Sequence, residues 1–214
     1  MNEIRLSNLQ PPFISGVDNS ASEIWFNKVS FLRGKNCLLS AASGAGKTTL
    51  FACLFGERKN FKGNIFFDLS NISTFGDREW NVVRRNFISH VFQDLRLFDE
   101  LTVIENIGLK NCLTRHKRKE DIRLMLEKAG IADKAGERVE HLSWGQKQRV
   151  AIIRALCQPF DFLLLDEPFS HLDRDNIAIM TGIIGEEITA RGAGLIICSL
   201  GDEHGFEYQQ KIRI

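Results

Sequence analysis

The sequence predicts an α/β fold with a mostly parallel sheet, and three observations lead to this prediction. Short β-rich segments alternate along the chain with longer segments of helical periodicity. The strands predicted in the C-terminal part are uniformly apolar, as at 162–165 and 195–198, which is typical of a sheet covered on both faces. The segment from about 94 to 144 shows helical patterns and no convincing strand. We therefore expect a helical insertion into an α/β core.

Each element is predicted from its local pattern of apolar residues, and the first clear break comes at Pro11 and Pro12. The short β-rich runs predict strands at 4–9, 24–31, 36–40, 64–68, 87–92, 160–166, 194–199 and 211–214. The longer periodic segments predict helices at 47–56, 78–85, 102–113, 117–129, 145–157 and 173–191.

Composition limits the class of protein before any motif is considered. The 214 residues predict a single domain spanning 1–214, and a net charge of +1 argues against a nucleic-acid partner. The apolar runs fall well short of the roughly 20 residues that a membrane-spanning helix needs, and residues 1–10 lack the apolar stretch of a signal peptide. The five cysteines are scattered and form no CxxC pair, which favours buried thiols in a reducing compartment. We expect a soluble intracellular protein.

A small-residue loop joins a predicted strand to a predicted helix in residues 36–50, NCLLSAASGAGKTTL. Phosphate binding needs glycines that let backbone N–H groups converge on anionic oxygens, a helix N-terminus, a lysine for the terminal phosphates, and a neighbouring hydroxyl for Mg²⁺. These requirements are met by Gly44, Gly46, Lys47 and Thr48. Ala41 stands where the general pattern has its first glycine, and alanine is tolerated there if φ stays negative. The alternative is a glycine-rich turn before an ordinary helix.

Two carboxylates end a buried strand in residues 162–168, FLLLDEP. Acids at the end of an apolar strand are costly unless they meet a cation or water. Asp166 can hold Mg²⁺, directly or through water, and Glu167 can orient or deprotonate an attacking water. In an open parallel sheet, ligands bind at this end of the strands. The alternative is a polar turn that ends at Pro168.

Several further motifs carry a family resemblance. Residues 142–146 read LSWGQ and residues 148–156 read QRVAIIRAL, which resembles the LSGGQ signature and following helix of ATP-binding cassette (ABC) ATPases. Residues 91–94, VFQD, resemble the Q-loop of that family, and residues 170–173, SHLD, resemble its D-loop. Residues 8–13 resemble its opening strand, followed by the aromatic residue that stacks on adenine. The resemblance covers nearly the whole chain, and the order and spacing of the motifs make it specific.

The resemblance implies a P-loop NTPase core of the ABC type, with a mostly parallel sheet, an N-terminal antiparallel β portion and a helical sub-domain at about 94–144. It implies ATP and Mg²⁺ as cofactors, with Glu167 as general base and Lys47 and Gln93 beside it in catalysis. The implied phosphate-binding residues are Ala42, Ser43, Gly44, Ala45, Gly46, Lys47, Thr48 and Thr49. The implied Mg²⁺ residues are Thr48, Gln93 and Asp166.

Other implied contacts involve a second subunit or the adenine base. Ser143, Gly145 and Gln146 would reach ATP bound to the opposite subunit, and Asp173 would help to build the contact between the subunits. Phe13 would stack on adenine, although it could equally be a core aromatic residue beside the Pro11–Pro12 turn.

Three positions depart from the family pattern. Ala41 replaces the first loop glycine, and Trp144 replaces the first glycine of the signature pair, where an indole could pack on neighbouring helices or crowd the site. Leu200 stands where the family has a histidine that contacts the γ-phosphate, and leucine can neither donate a hydrogen bond nor carry charge. His204, four residues further on, is either displaced into that role or an exposed loop residue.

The resemblance implies an ATP-binding subunit that hydrolyses ATP in a two-subunit sandwich with a second copy of itself. It would drive a separate membrane permease from the cytoplasmic face of the cell membrane, and residues 92–98 and 101–107 resemble the lipoprotein-release, macrolide-export and cell-division class. The alternative is a nucleotide-gated, weakly hydrolysing or non-hydrolysing interaction protein that regulates a membrane complex. The segment 48–142 is too short for the long coiled coil of a chromosome-maintenance ATPase, and a simple P-loop kinase lacks the signature helix.

Overall fold

The computed structural model describes residues 1–10, 22–40, 45–200 and 203–214. Its strands are β1 (Glu3–Gln10), β2 (Lys28–Leu32), β3 (Asn36–Ser40), β4 (Lys62–Phe67), β5 (Ser70–Asn71), β6 (Ile88–Val91), β7 (Phe162–Asp166), β8 (Gly194–Ser199) and β9 (Gln210–Arg213). Its α-helices are α1 (Lys47–Leu54), α2 (Asp77–Asn86), α3 (Val103–Thr114), α4 (Lys119–Lys128), α5 (Trp144–Leu156) and α6 (Arg174–Arg191). Short 3₁₀ turns lie at Ile72–Thr74, Ala132–Lys134 and Val139–His141.

A five-stranded parallel sheet, in the order β6-β7-β8-β3-β9, forms the centre of the fold. Every residue of β7 and β8 is buried, which explains why these strands are apolar throughout rather than alternating. The predicted sheet with two covered faces is therefore confirmed.

Alternate side chains of this sheet enter two separate hydrophobic cores. Leu163 and Leu165 of β7 belong to the core built with α3 to α6. Phe162 and Leu164 of the same strand belong to the core built with α1, α2 and the N-terminal strands. This division follows from the two-residue side-chain period of a strand.

The N-terminal strands form a second sheet, which is antiparallel and has the order β2-β1-β4-β5. The strand predicted at 24–31 is wrong in its first half, because residues 24–27 form a turn in which Phe26 has a φ of 63°. Trp25 is buried within this turn, so its presence does not require a strand. The Asn27 side chain donates hydrogen bonds to the Ser22 and Trp25 carbonyls. The pair β4 and β5 adds a short hairpin that the sequence analysis did not predict.

The segment predicted as a helical insertion contains α3, α4 and two 3₁₀ turns. Among its described residues, extended pairing is limited to an isolated bridge between Thr102 and Arg138. Thr102 also caps α3, since its side chain accepts from the Glu105 N–H while the Glu105 carboxylate accepts from the Thr102 N–H at 2.8 Å. Residues 115–121, which read RHKRKED and are rich in basic side chains, cover the turn into α4 and its first residues.

No helix in the described part of the chain is long and apolar enough to cross a membrane.

All five cysteines are free; four of them are buried as expected, whereas Cys112 is exposed. Burial raises the pKa of the Cys37 thiol to about 12, so this thiol stays protonated and packs as a small apolar side chain.

His90 of β6 is a polar side chain enclosed by aromatic rings. Its ring centroid lies 4.0 Å from that of Phe92 and 5.3 Å from those of Phe51 and Phe55. The residue is 8% exposed, and neither ring nitrogen has a hydrogen-bond partner among the described residues. Burial, with the charges of Arg96 and Lys110, lowers the pKa of His90 from 6.5 to about 3.

This depressed pKa predicts a loss of stability in weak acid. Between pH 6.5 and about 3, His90 is protonated in the unfolded chain but stays neutral in the folded chain. The free energy of unfolding should therefore fall by up to about 1.4 kcal/mol per pH unit on this account as the pH drops through that window. Urea denaturation at pH 7.5, 6.5 and 5.5 measures the slope. We expect His90→Phe to reduce it and His141→Asn, at an exposed histidine, to leave it unchanged; equal slopes for His90→Phe and the wild type would contradict the assignment.

Candidate functional site

Four parallel strands end at one edge of the central sheet, and chemically active residues follow each of them. In the register of the sheet, Ser40 of β3 lies opposite Ser199 of β8, and Asp166 of β7 lies opposite Cys198. Gln93 comes two residues after the end of β6. The carboxyl edge of the sheet therefore brings together the segments predicted from the sequence to bind phosphate and metal.

Lys47 begins α1 directly below this edge. Its predecessor Gly46 has a φ of 98°, a left-handed conformation that favours glycine, and this conformation turns the chain from the loop into the helix. The Lys47 Nζ lies 2.8 Å from Glu167 Oε1, and the two side chains are only 6% and 19% exposed. Glu167 itself has a φ of 48°, a strained value that persists only where the surrounding structure enforces it.

Asp166 lies beside this ion pair in a setting that suits a cation. It is 1% exposed, and neither carboxylate oxygen accepts a hydrogen bond from the described residues. Burial raises the pKa of this carboxyl above its usual range, and the nearby Thr48 and Lys47 side chains offset that effect only in part. The Thr48 hydroxyl lies 3.4 Å from Gln93 Oε1 at the same edge. Oxygen donors are the ligands that Mg²⁺ prefers, so these residues fit that ion.

The phosphate loop is also contacted by the turn that precedes β2. The Trp25 indole N–H donates to the Ala45 carbonyl at 3.2 Å, a contact that the sequence analysis missed because a single buried tryptophan gives no local signal. Of the other predicted residues here, Thr49 lies in the first turn of α1. Ala41, Ala42, Ser43 and Gly44, and the adenine candidate Phe13, lie outside the described residues.

The predicted signature residues form the N-terminus of α5. Ser143 is the N-cap, with its hydroxyl accepting from the Gln146 N–H at 3.3 Å while the Gln146 side chain accepts from the Ser143 N–H at 2.8 Å. Gln146 therefore serves as a capping side chain, a local role that the resemblance did not indicate. Asp173 similarly caps α6, accepting from the Asn176 N–H at 2.8 Å.

A polar network links α5 to the turn that follows Glu167. The buried Gln148 side chain donates to the Ser170 hydroxyl at 2.9 Å and accepts from the His171 N–H at 3.1 Å. The Ser170 hydroxyl in turn lies 2.9 Å from His171 Nδ1. The ring of Trp144, which is 46% exposed, leans on the His171 ring at 5.5 Å between centroids. The indole thus packs on the 170–171 turn.

Leu200 and His204 follow β8, and the structure places them in different surroundings. Leu200 is 68% exposed. Its apolar side chain cannot donate the hydrogen bond that a histidine would donate at this position. His204 is not a fully exposed loop residue: its Nε2 lies 3.1 Å from the Ser199 hydroxyl. Both residues line a cavity of about 270 Å³ that Glu167 also lines.

A lysine at a helix N-terminus, facing two carboxylates at the carboxyl edge of a parallel sheet, defines a P-loop nucleotide-binding protein. The family model for ABC transporters matches residues 27–170, and the chain belongs to that family. It is an ATP-binding subunit of an ABC transporter, and it is an ATPase.

The chain is similar to named ABC proteins over most of its length. The phosphonates import ATP-binding protein PhnC of Fusobacterium nucleatum is 36% identical over 75% of this chain and 70% of that protein. The ABC transporter ATP-binding protein YtrE of Bacillus subtilis is 29% identical over 88% of this chain and 83% of that protein. The dimeric structure of MJ0796, a bacterial ABC transporter cassette, matches with a TM-score of 0.83 and 23% identity, over 98% of this chain and 94% of that chain. This last likeness confirms the predicted fold class.

Gly145 allows the tight approach of α5 to the 170–172 turn, and this contact gives a prediction. A Cβ at position 145 would lie 2.9 Å from the His171 carbonyl oxygen and 3.3 Å from a Leu172 methyl. Because the first of these is backbone, Gly145→Ala should lower the free energy of unfolding by about 1–3 kcal/mol, as overpacking does. Urea denaturation measures the change.

Gly182, inside α6, provides the matched control. Nothing lies within 4 Å of a Cβ built there, so Gly182→Ala should be neutral or should stabilise the helix by up to about 1 kcal/mol. If Gly145→Ala is as stable as Gly182→Ala, the α5 contact is not the tight one described.

Proposed function

We propose that this subunit hydrolyses ATP between two copies of the chain and so drives a separate integral membrane permease, to which it binds on the cytoplasmic face of the cell membrane. The whole chain would act as one ATP-binding domain, with 94–144 as its helical sub-domain. The proposal depends above all on one observation, the meeting of Lys47 and Glu167 with the unpartnered Asp166 carboxylate at the sheet edge.

The ion pair suggests the order of events at this site. Lys47 is paired with Glu167 at 2.8 Å, and a triphosphate carries more negative charge than one carboxylate. The terminal phosphates would take over the Lys47 ammonium and leave Glu167 to accept a proton from water. That water oxygen bonds to the terminal phosphorus while the bond to the bridging oxygen breaks, releasing ADP and phosphate. Thr48, Gln93 and Asp166 would hold Mg²⁺, which supplies positive charge to the phosphates.

Glu167→Gln tests the assignment of the base. The amide keeps the shape of the side chain but cannot accept the proton, so we expect turnover to fall by about 10²-fold or more while ATP still binds. Steady-state phosphate release and ATP affinity measure the two effects. Glu120→Gln, at an exposed acid on α4, is the control and should retain the wild-type rate. A rate unchanged by Glu167→Gln would overturn the assignment of Glu167 as the base.

A second copy would complete the site through the N-terminus of α5. Ser143 and Gly145 present a hydroxyl and backbone N–H groups at a helix N-terminus, where anions bind favourably. Gln146 would support them by fixing the cap. Asp173 sits at the N-terminus of α6, next to the turn that packs on α5, and would lie in the same contact between subunits.

A groove between α2 and the end of α3 offers a surface for the permease. It has a volume of about 650 Å³ and contains Arg78, Arg85 and His116, and none of the described residues that line it is acidic. The apolar Val82 lines the groove and is 46% exposed. We assign to it a helical segment of the permease with acidic and apolar side chains.

Charge reversal in the groove tests this surface. Arg78 is exposed on α2, so Arg78→Glu should repel an acidic segment without disturbing ATP binding. We expect at least about a tenfold loss in the amount of subunit that co-purifies with an integral membrane protein from native membranes. Arg123→Glu, at an arginine exposed on α4, is the matched control. Equal recovery of both variants, or recovery of no integral membrane protein with the wild type, would contradict the proposal.

A further inference from the structure

Trp25 lies in the turn before β2, and hydrogen bonds on several sides fix this turn. The Trp25 N–H donates to the Ser22 hydroxyl at 3.0 Å, and the Asn27 side chain donates to the Trp25 carbonyl at 3.1 Å. The Phe26 N–H donates to the Leu9 carbonyl of β1 at 3.1 Å. Because Trp25 is also only 1% exposed, the close-packed core leaves its indole little freedom to turn.

The indole of Trp25 holds one peptide unit of the phosphate loop. Its N–H donates to the Ala45 carbonyl at 3.2 Å, and this carbonyl shares a peptide plane with the N–H of Gly46. In a planar trans peptide the C=O and the N–H point in opposite directions. The Gly46 N–H therefore points away from the buried indole, and Gly46 is the residue that directly precedes α1.

Without this hydrogen bond, a second orientation of the same peptide becomes accessible. Gly46 has a φ of 98°, and glycine populates positive and negative φ about equally, so it offers little steric resistance to rotation of the peptide before it. The rotated peptide would turn the Gly46 N–H towards the core and the Ala45 carbonyl outwards. A carbonyl oxygen carries partial negative charge and repels an anion, whereas an N–H at a helix N-terminus attracts one.

We propose that Trp25 is a positioning residue for nucleotide binding, whose indole N–H holds the Ala45–Gly46 peptide in the orientation that presents the Gly46 N–H to a phosphate of ATP. This inference rests on the proposed binding of the ATP phosphates at this loop. Trp25 takes no part in the chemical step. It sets the fraction of subunits whose loop is ready to bind, and the apparent affinity for a ligand falls in proportion to that fraction.

Replacement of the indole at Trp25 by benzothiophene, through the corresponding unnatural amino acid, tests this role directly. The sulfur analogue keeps nearly the same shape and lacks the N–H. We expect the dissociation constant for ATP to rise about tenfold, which is the scale of one lost hydrogen bond. We expect kcat at saturating ATP to stay within about threefold of the wild type, because bound phosphates restore the orientation of the peptide. Calorimetric titration and steady-state phosphate release measure the two quantities.

The same replacement at Trp80 is the matched control. Trp80 is 3% exposed in the same core, where its ring meets those of Phe67 and Phe75. This replacement should leave the affinity for ATP within about twofold of the wild type. Trp25→Phe, which needs no unnatural amino acid, should weaken ATP binding in the same way and also lower the melting temperature, because the smaller ring leaves a cavity.

The outcomes separate this inference from the proposal on which it rests. If the benzothiophene variant at Trp25 binds ATP within about twofold of the wild-type affinity, the role of Trp25 is overturned and the proposed function stands. An equal loss of affinity for the replacements at Trp25 and Trp80 would also overturn it, because core packing alone would then explain the loss. A fall in kcat at unchanged affinity would overturn it as well. If Lys47→Ala leaves the affinity for ATP unchanged, the phosphates do not bind at this loop, and the proposed site and the role of Trp25 both fall.

Discussion

The ion pair between Lys47 and Glu167 ties the first residue of α1 to the end of β7, and the site depends on this tie. Both charges lie in a largely desolvated position, where each is costly without the other. Asp166, buried one residue earlier, has no hydrogen-bond partner for its carboxylate oxygens among the described residues. Glu167 is thus neutralised by Lys47, whereas the buried Asp166 carboxylate has no hydrogen-bond partner among the described residues. Such a carboxylate favours a nearby cation.

The two cores explain how the fold maintains that desolvation. Because β7 is covered on both faces, its last residue cannot turn towards water without disturbing Leu163 and Leu165 on one side or Phe162 and Leu164 on the other. The cost of burying Asp166 is therefore offset by apolar packing along the whole strand. The apolar packing in the middle of β7 therefore stabilises the buried carboxylate at its end.

Much of this fold follows from patterns that act locally. The apolar runs of β7 and β8, and the glycine before Lys47, predict strand ends and a helix start with little help from the rest of the chain. What could not be predicted depends on tertiary contacts. Residues 24–27 share the apolar character of a strand, yet burial of Trp25 explains it, and His204 reaches Ser199 only through the packing of Phe169 and the Thr181 hydrogen bond.

Helix α5 packs closely on the turn that follows Glu167. Gln148 of α5 holds the 170–171 turn with two hydrogen bonds, and Gly145 lets the backbone of that turn approach the helix closely. The same turn continues from Glu167 through Phe169, against which His204 packs. A shift of α5 would therefore displace the turn, because close-packed contacts transmit displacement rather than absorb it. In this chain the signature helix and the histidine after β8 bear on the same short segment from opposite sides.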